Sequence, residues 1–443
     1  MTKSNISHKM FLNLMIPFVL STITQPLLGA ADIAVVGKLN DMSYISGVSI
    51  GTLIFNTIYW IFGFLRVSTT AFSAQSSHYK DKKSISDIFF RPILIALIIS
   101  LNIIVFQDII FESFIKFIQP EIEIQKNSDI YFKILIWGAP FVLTNYVLLG
   151  WLMGLGNIKF SMIMQISGNV LNIVLDIIFV IFLGLKVEGV AYATLISQIF
   201  SFCLGVYFIL PYSYHKYLNL KSIINKKELI NIFCVNRDLM IRTICLVLHN
   251  NLFTMASSNL GGEILAANTV LFQIMSIISY TFDGIANTAS VFSGRAKGMR
   301  DNALMKNCWK KTLYWGGIFV VLITIIYLIF ESDIIKIFTT LPDIVTLAEK
   351  YSKWIVIYPA ISFLGLTFYG VFTGSAETFP IMISTVIAFI VFFIAWKYLI
   401  PIYKNDGVWL SLLIFYFGRG IFLIPCLRKT LTEKKETNYE KSR

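Results

Sequence analysis

The sequence predicts an all-α polytopic membrane protein, with about twelve transmembrane helices in two pseudo-symmetric six-helix lobes. Three observations predict it. Hydrophobic residues make up 56% of the chain and charged residues 14%, against roughly 25% charged in an average soluble domain. A window of about 19 residues finds segment after segment long enough to cross a ~30 Å hydrocarbon core. The second half also repeats the first at one fixed offset.

The first segment, 11–37, carries Pro17, Gln25, Pro26 and Asp32. It is too long for a signal-peptide core and lacks a clear small-residue cleavage site, so it is expected to be retained behind a short cytosolic stub. Segment 44–72 contains Arg66 and runs into Lys80, Lys82, Lys83 and Arg91. Segment 89–110 leads into an acidic connection with Glu112, Glu121, Glu123 and Asp129 before 130–154. Segments 159–184 and 188–210 complete the first half, and a basic stretch follows with Lys216, Lys221, Lys226 and Lys227. The second half begins with 237–259 and 264–292, then Arg295, Lys297, Arg300, Lys306, Lys310 and Lys311. Segment 308–330 precedes a second acidic connection, and 350–374, 379–400 and 407–426 close the bundle. The expected division is an N-terminal lobe with a cation site (1–210), a cytosolic linker (211–236), a C-terminal lobe (237–426) and a basic cytosolic tail (427–443).

The net charge of +12 does not point to nucleic acid, because the basic residues alternate with membrane segments instead of forming one patch. Positive-inside counting puts these connections and both termini in the cytosol, and an inner bacterial membrane is the expected location. The five cysteines, Cys203, Cys234, Cys245, Cys308 and Cys426, show neither a disulfide framework nor a zinc spacing. There is no Walker-type phosphate loop and no zinc-protease helix. No enzymatic arrangement or cofactor is expected, and energy for transport must come from an ion gradient or a partner chain.

Adding 220 to the residue number reveals the repeat. Ile54, Ile58, Phe62, Phe72 and Ser73 meet Ile274, Ile278, Phe282, Phe292 and Ser293; Lys80-Asp81 meets Arg300-Asp301; Tyr131, Lys133, Gly150 and Gly154 meet Tyr351, Lys353, Gly370 and Gly374. Each half holds an even number of crossings, so the two repeats run in the same direction.

The stretch "GNVLNIVLDIIF" places Asn169, Asn172 and Asp176 on one helical face, three, four and seven residues apart, among isoleucine, valine and leucine. At the repeat offset Asn172 becomes Phe392, Asp176 becomes Trp396 and Asp32 becomes Leu252. A shared scaffold would need these polar residues twice, so their confinement to one half favours a site. An intramembrane Asp costs roughly 2.5–3.5 kcal/mol on insertion scales. Asp32 and Asp176 facing each other would suit reversible protonation or capture of Na⁺, and no other metal site is expected. A structural carboxylate hydrogen-bonded within the bundle is the alternative. Thr194 and Gln25 offer neutral oxygens of the kind a cation cage uses, although each also fits ordinary helix packing. Pro17 and Pro26 free carbonyl groups and permit bending of the first helix. Arg66 either snorkels toward the cytosolic interface or belongs to a site. Asp283 is a second coupling or substrate site, or a partner for a basic residue such as Arg242. His249, beside Asn250 and Asn251, lines a cavity or is satisfied in packing.

The strings "QPLLGAADIAVVGKL", "FGFLRVSTTAFSAQ", "GNVLNIVLDIIFV", "GVAYATLISQ" and "TFDGIANTASVFSG", in this order and spacing, resemble those of the multidrug and toxic compound extrusion transporters, and within them the DinF-like branch. The resemblance implies a monomeric twelve-helix antiporter that exports cationic or amphipathic organic compounds in exchange for H⁺ or Na⁺. In similar proteins the cation site uses an Asp on the first helix, an Asn and an Asp one turn apart on the fifth and a Thr on the sixth. The matching positions are Asp32, Asn172, Asp176 and Thr194, with Gln25 at another polar position of the first helix. Two departures, the Arg of "FSGRAKG" and the polar "LHNNLF", bear on substrate preference.

Two other readings compete. A lipid-linked saccharide flippase would line its cavity with basic residues, for which Arg66, Arg242 and Arg419 are the few candidates; the acids of the proposed site favour cationic cargo instead. A non-transporting receptor or assembly component would lack the asymmetric polar site.

Overall fold

The computed structural model describes residues 6–36, 42–76, 81–217, 219–339 and 341–431, leaving outside the description the side chains of 24–36, 42, 117, 220, 221, 227, 229 and 231. Those residues form helices and no strand. The first half comprises α1 (His8–Val36), α2 (Met42–Phe62), α3 (Phe64–Ser76), α4 (Lys82–Val105), α5 (Gln107–Ile118), α6 (Ile122–Leu135), α7 (Ala139–Leu155), α8 (Ile158–Asp176) and α9 (Val187–Ile209). After the short α10 (Leu220–Ile223) come α11 (Lys226–Asn259), α12 (Gly262–Met299), α13 (Asn302–Phe338), α14 (Pro342–Tyr351), α15 (Lys353–Gly374), α16 (Phe379–Tyr403) and α17 (Asn405–Ile421). Eleven described helical stretches are long and apolar enough to cross a bilayer, and α1, with 29 residues, supplies the twelfth crossing. Consecutive pieces such as α2 with α3, and α6 with α7, make single crossings. Helix α11 starts at Lys226, inside the stretch expected to be linker. Of the expected basic tail, residues 432–443 lie outside the description.

The repeat is built into the packing. Asp81 caps α4 by accepting from the backbone N–H groups of Lys83 and Ser84, and Asp301 caps α13 by accepting from those of Ala303 and Leu304. The Ser84 hydroxyl and these N–H groups hold the Asp81 carboxyl below the usual carboxylate range. A methyl added to Gly150 would lie 2.4 Å from the carbonyl oxygen of Arg66, and one added to Gly370 would lie 1.9 Å from that of Ala286, its counterpart. Glycine therefore lets α7 cross α3, and α15 cross α12, backbone to backbone, as small residues do between membrane helices. One turn later Gly154 and Gly374 repeat the contact. Left-handed residues Gly156 (φ +81) and Ala376 (φ +59) then end the two regions at the same offset.

Each lobe receives the opening helix of the other. Phe11, Met15 and Val19 of α1 pack in the C-terminal core with Phe282, Phe292 and Tyr358. Leu239 of α11, the counterpart of Val19, packs in the N-terminal core with Leu65 and Leu143. The described hydrogen bonds between lobes are Thr22 Oγ1 to Tyr280 O (2.8 Å), Gln75 Nε2 to Gly374 O (3.0 Å) and Arg295 Nη2 to Leu155 O (3.2 Å). The last two lie where α3, α7, α12 and α15 all terminate, so the lobes are joined at that end of the bundle.

Candidate functional site

The polar face of α8 points inward. Asn172 is 2% exposed and Asp176 is fully buried, while Val170 and Val174 on the opposite side are exposed. Gly168 admits Ser201 of α9 against its backbone, and this close approach brings Asn172 Nδ2 within 3.3 Å of Thr194 Oγ1, to which it donates. Asn169, one turn before Asn172, is half-buried. Directly after Asp176 the chain leaves the α-helix for a π-helical turn, Ile177–Phe182, in which Leu183 N bonds to Ile178 O at 2.9 Å. Such turns cluster at functional sites because they shift helical register locally. Nothing in the run of isoleucine and phenylalanine signals it.

Helix α1 stands against this face: the Ser21 hydroxyl donates to Gln165 Oε1 of α8. Its next residue, Thr22, donates to Tyr280 O in the other lobe, so α1 touches the polar face and the lobe interface within one residue. Pro17 lies in this part of α1. The side chains of Gln25, Pro26 and Asp32 lie outside the described residues, although α1 continues through them to Val36.

A second set of charged residues, Arg66, Arg242, Asp283 and Arg419, lies within the membrane-spanning helices. Arg66 sits in the first turn of α3, ten residues before Ser76, roughly 15 Å from the helix end at 1.5 Å per residue. Asp283 lies on α12, Arg242 on α11 and Arg419 on α17. Arg242 lies over the ring of Tyr369 at 4.0 Å, and Arg419 lies 5.5 Å from that of Tyr416. Asp283 forms no ion pair with Arg242 or with any other described residue.

His249 is buried, with Phe415 stacked at 4.1 Å and Phe392 edge-on at 4.6 Å, and its Nδ1 meets Asn250 Oδ1 at 3.2 Å. It is a packed residue of the C-terminal lobe and does not line an opening. Arg295, the departure in "FSGRAKG", joins the lobes through Leu155 O. Sequence reasoning missed a buried knot in which Asn268 Nδ2 donates to Ser257 Oγ and Asn405 Oδ1, while Asn405 Nδ2 and Trp409 Nε1 donate to Asn268 Oδ1. The four residues come from three helices, so no local pattern announces the knot. Among the described residues no cluster of three metal-ligating side chains occurs.

Comparison with known proteins follows the same duplication. The MatE family model matches the chain twice, over residues 17–178 and 239–399, at nearly the offset of the repeat. DNA damage-inducible protein F of Escherichia coli is 30% identical over 96% of this chain and 92% of its own. The multidrug export protein MepA of Staphylococcus aureus is 22% identical over 83% and 82%. Among solved structures, a MOP superfamily transporter from Pyrococcus furiosus, described as having a binding pocket of reverse polarity, aligns with a TM-score of 0.84 at 20% identity over 95% of both chains. An outward-facing multidrug resistance MATE family transporter aligns at 0.81 and 21% identity, also over 95% of both. The doubled match, the duplicated helix crossings and the full-length relative together establish that this chain is a member of the MatE family of multidrug and toxic compound extrusion transporters, which are transporters and not enzymes.

Proposed function

We propose that the chain is a cation-coupled antiporter that exports amphipathic organic compounds by alternating access between its lobes, taking up H⁺ or Na⁺ in the N-terminal lobe. The observation that carries this reading is an asymmetry inside the duplication. Gln25, Asp32, Asn172, Asp176 and Thr194 correspond at the repeat offset to Cys245, Leu252, Phe392, Trp396 and Ile414. Trp396 Nε1 donates to Leu252 O at 3.3 Å, so the counterparts of Asp176 and Asp32 touch. That contact supports Asp32 and Asp176 as neighbours in one carboxylate site, with Gln25, Asn172 and Thr194 as neutral oxygens around it.

Taking up a cation neutralises the carboxylates and changes what α1 must satisfy. Because α1 bonds to Gln165 in its own lobe and to Tyr280 O in the other, that change reaches the interface directly. Pro26 supplies no N–H to Thr22 O, and Pro17 none to Asn13 O, so α1 can bend on either side of the Thr22 contact. In this reading residues 1–210 are the ion-binding lobe, 211–236 the cytosolic linker, 237–426 the second lobe and 427–443 a basic cytosolic tail. The monomer resides in a bacterial inner membrane with both termini inside.

Efflux of fluorescent amphiphiles from proteoliposomes, with pH and Na⁺ gradients imposed separately, tests the reading. One gradient should drive export by the parent, and Asp176→Asn should lower driven export at least tenfold; unchanged export by the variant refutes the ion site. A flippase for lipid-linked saccharides is favoured by one observation, basic side chains held inside membrane helices, with Arg242 Nε buried without a partner and Arg419 3% exposed. Gradient-independent movement of such a lipid, with no dye moved, would replace the antiporter reading.

A further inference from the structure

We propose that residues 212–228, which join the lobes in sequence, are a fixed extension of the N-terminal lobe, clasped to α4 throughout transport by Arg91 as their positioning residue. The proposal rests on the reading that the lobes move against one another during export. It shifts the joint between them out of the expected linker to Glu228 or beyond, within α11. Three sets of contacts fasten the stretch. The Tyr214 ring lies 5.4 Å from that of Phe89 and 5.5 Å from that of Trp151, and its carbonyl accepts from Ser86 Oγ at 2.9 Å. Ser222 Oγ donates to Asp87 Oδ1 at 2.8 Å. Arg91 donates through Nε to Ile223 O at 3.2 Å and through Nη2 to Ser222 O at 3.0 Å, and its Nη1 lies 3.9 Å from Glu228 Oε2 in the first turn of α11.

Arg91 and Asp87 are each 7% exposed. Charges so buried are unfavourable unless they are paired and hydrogen-bonded, and for Arg91 the linker backbone supplies the bonds. A guanidinium suits this task because its rigid fork meets two successive carbonyls at once. Ile223 is buried in the same contact. Among the described residues, the side-chain hydrogen bonds and ion pairs that 212–228 makes with the rest of the chain all end in the N-terminal lobe. The duplication supplies a control. At the repeat offset Ser86, Asp87 and Arg91 become Lys306, Asn307 and Lys311. The second copy of the helix lacks the set, so these residues serve the linker and not the shared scaffold. Farther along α11, Leu239 packs in the N-terminal core, and Asp238 Oδ2 accepts from Thr378 Oγ1 of the C-terminal lobe at 3.0 Å. The handover between lobes therefore falls on α11 itself.

Disulfide trapping tests the clasp in the full chain with its five cysteines replaced. Asp87→Cys with Ser222→Cys puts two thiols where side-chain oxygens lie 2.8 Å apart. Dye efflux from proteoliposomes should be the same whether this pair is oxidised or reduced with dithiothreitol. Arg91→Met should lower the maximal efflux rate roughly tenfold, the equivalent of one charge-assisted hydrogen bond, and leave the half-saturating dye concentration unchanged. Oxidising the cysteine pair in Arg91→Met should restore the rate, and dithiothreitol should remove the restoration; a general loss of fold would not recover in this way. Spin labels at Lys83 and Lys226, both exposed, give a readout independent of efflux: one distance with or without a gradient, broadened by Arg91→Met. Loss of efflux on oxidation of the pair in otherwise parent protein would mean that the clasp must open, and overturns the proposal. Unchanged efflux by Arg91→Met, or no recovery on oxidation, overturns it as well. Should Arg91→Met not yield folded protein, the oxidised pair and the labels decide. A single label distance in protein that moves no dye under either gradient upholds the clasp and refutes export, whereas a distance that changes with the gradient overturns the clasp and leaves export standing.

Discussion

Replacing Arg295 and Gln75 together by alanine removes both described hydrogen bonds that join the lobes where α3, α7, α12 and α15 end. The Arg295 bond to Leu155 O has a charged donor and contributes about 1.5–3 kcal/mol; the neutral Gln75 bond to Gly374 O contributes about 0.5–1.5 kcal/mol. Their sum, roughly 2–4.5 kcal/mol, moves a two-state equilibrium about thirtyfold to a thousandfold at 1.4 kcal/mol per tenfold. Apolar contacts at that end persist, among them Phe11 stacked on Phe292 with ring centroids 5.8 Å apart, so the joined state should be weakened and not abolished. Spin labels at Lys159 and Lys306, exposed residues of opposite lobes near that end, report the separation by double electron–electron resonance after the five cysteines are replaced. The parent should give one short distance, and the double variant should add a longer population. An unchanged distribution would mean that these bonds do not hold the lobes together, and the reasoning from them would fail.

The Asn268 knot should be equally sensitive but local. Asn268→Leu removes four hydrogen bonds and strands Asn405 and Trp409 Nε1, since Ser257 still bonds to Phe253 O; at about 0.6 kcal/mol per bond in a membrane protein the expected loss is ~2 kcal/mol in a denaturation curve. A loss below a quarter of that would show the knot to be dispensable. Gly370→Ala should prevent stable assembly, because its methyl meets the Ala286 carbonyl, whereas Gly317→Ala, in open space, should leave thermal stability within about 1 kcal/mol of the parent. Equal behaviour of the two would refute the backbone-to-backbone crossing.

The crossings and the duplication were legible because they depend on composition, length and a fixed offset. Glycine pairs survived as a signal for a steric reason: nothing larger fits at Gly150 or Gly370. The inward face of α8 was also legible, since Asn172 and Asp176 stand out against isoleucine and valine. Arg66, Arg242 and Arg419 were legible as the few basic candidates within membrane segments, but the aromatic partners of two of them, Tyr369 beside Arg242 and Tyr416 beside Arg419, were not, because an apolar helix gives little indication of its rotation. For the same reason His249 could not be assigned to an opening or to the aromatic box of Phe392 and Phe415. The π-helical turn after Asp176 depends on backbone geometry that side-chain pattern does not encode.

Confinement of the buried carboxylate Asp176 to one lobe, with Trp396 at its counterpart, has an electrical consequence for an exchanger that takes up one proton there. A proton entering in return for a departing organic cation moves no net charge, so membrane voltage contributes nothing and only the pH difference drives the cycle. A proton entering in return for a departing monovalent anion carries two positive charges inward. At about 2.3 kcal/mol per charge for each 100 mV, an interior-negative potential adds roughly 4.6 kcal/mol per cycle. Dissipating the voltage with valinomycin and potassium would therefore slow export of an anion while leaving electroneutral exchange of a cation unaffected.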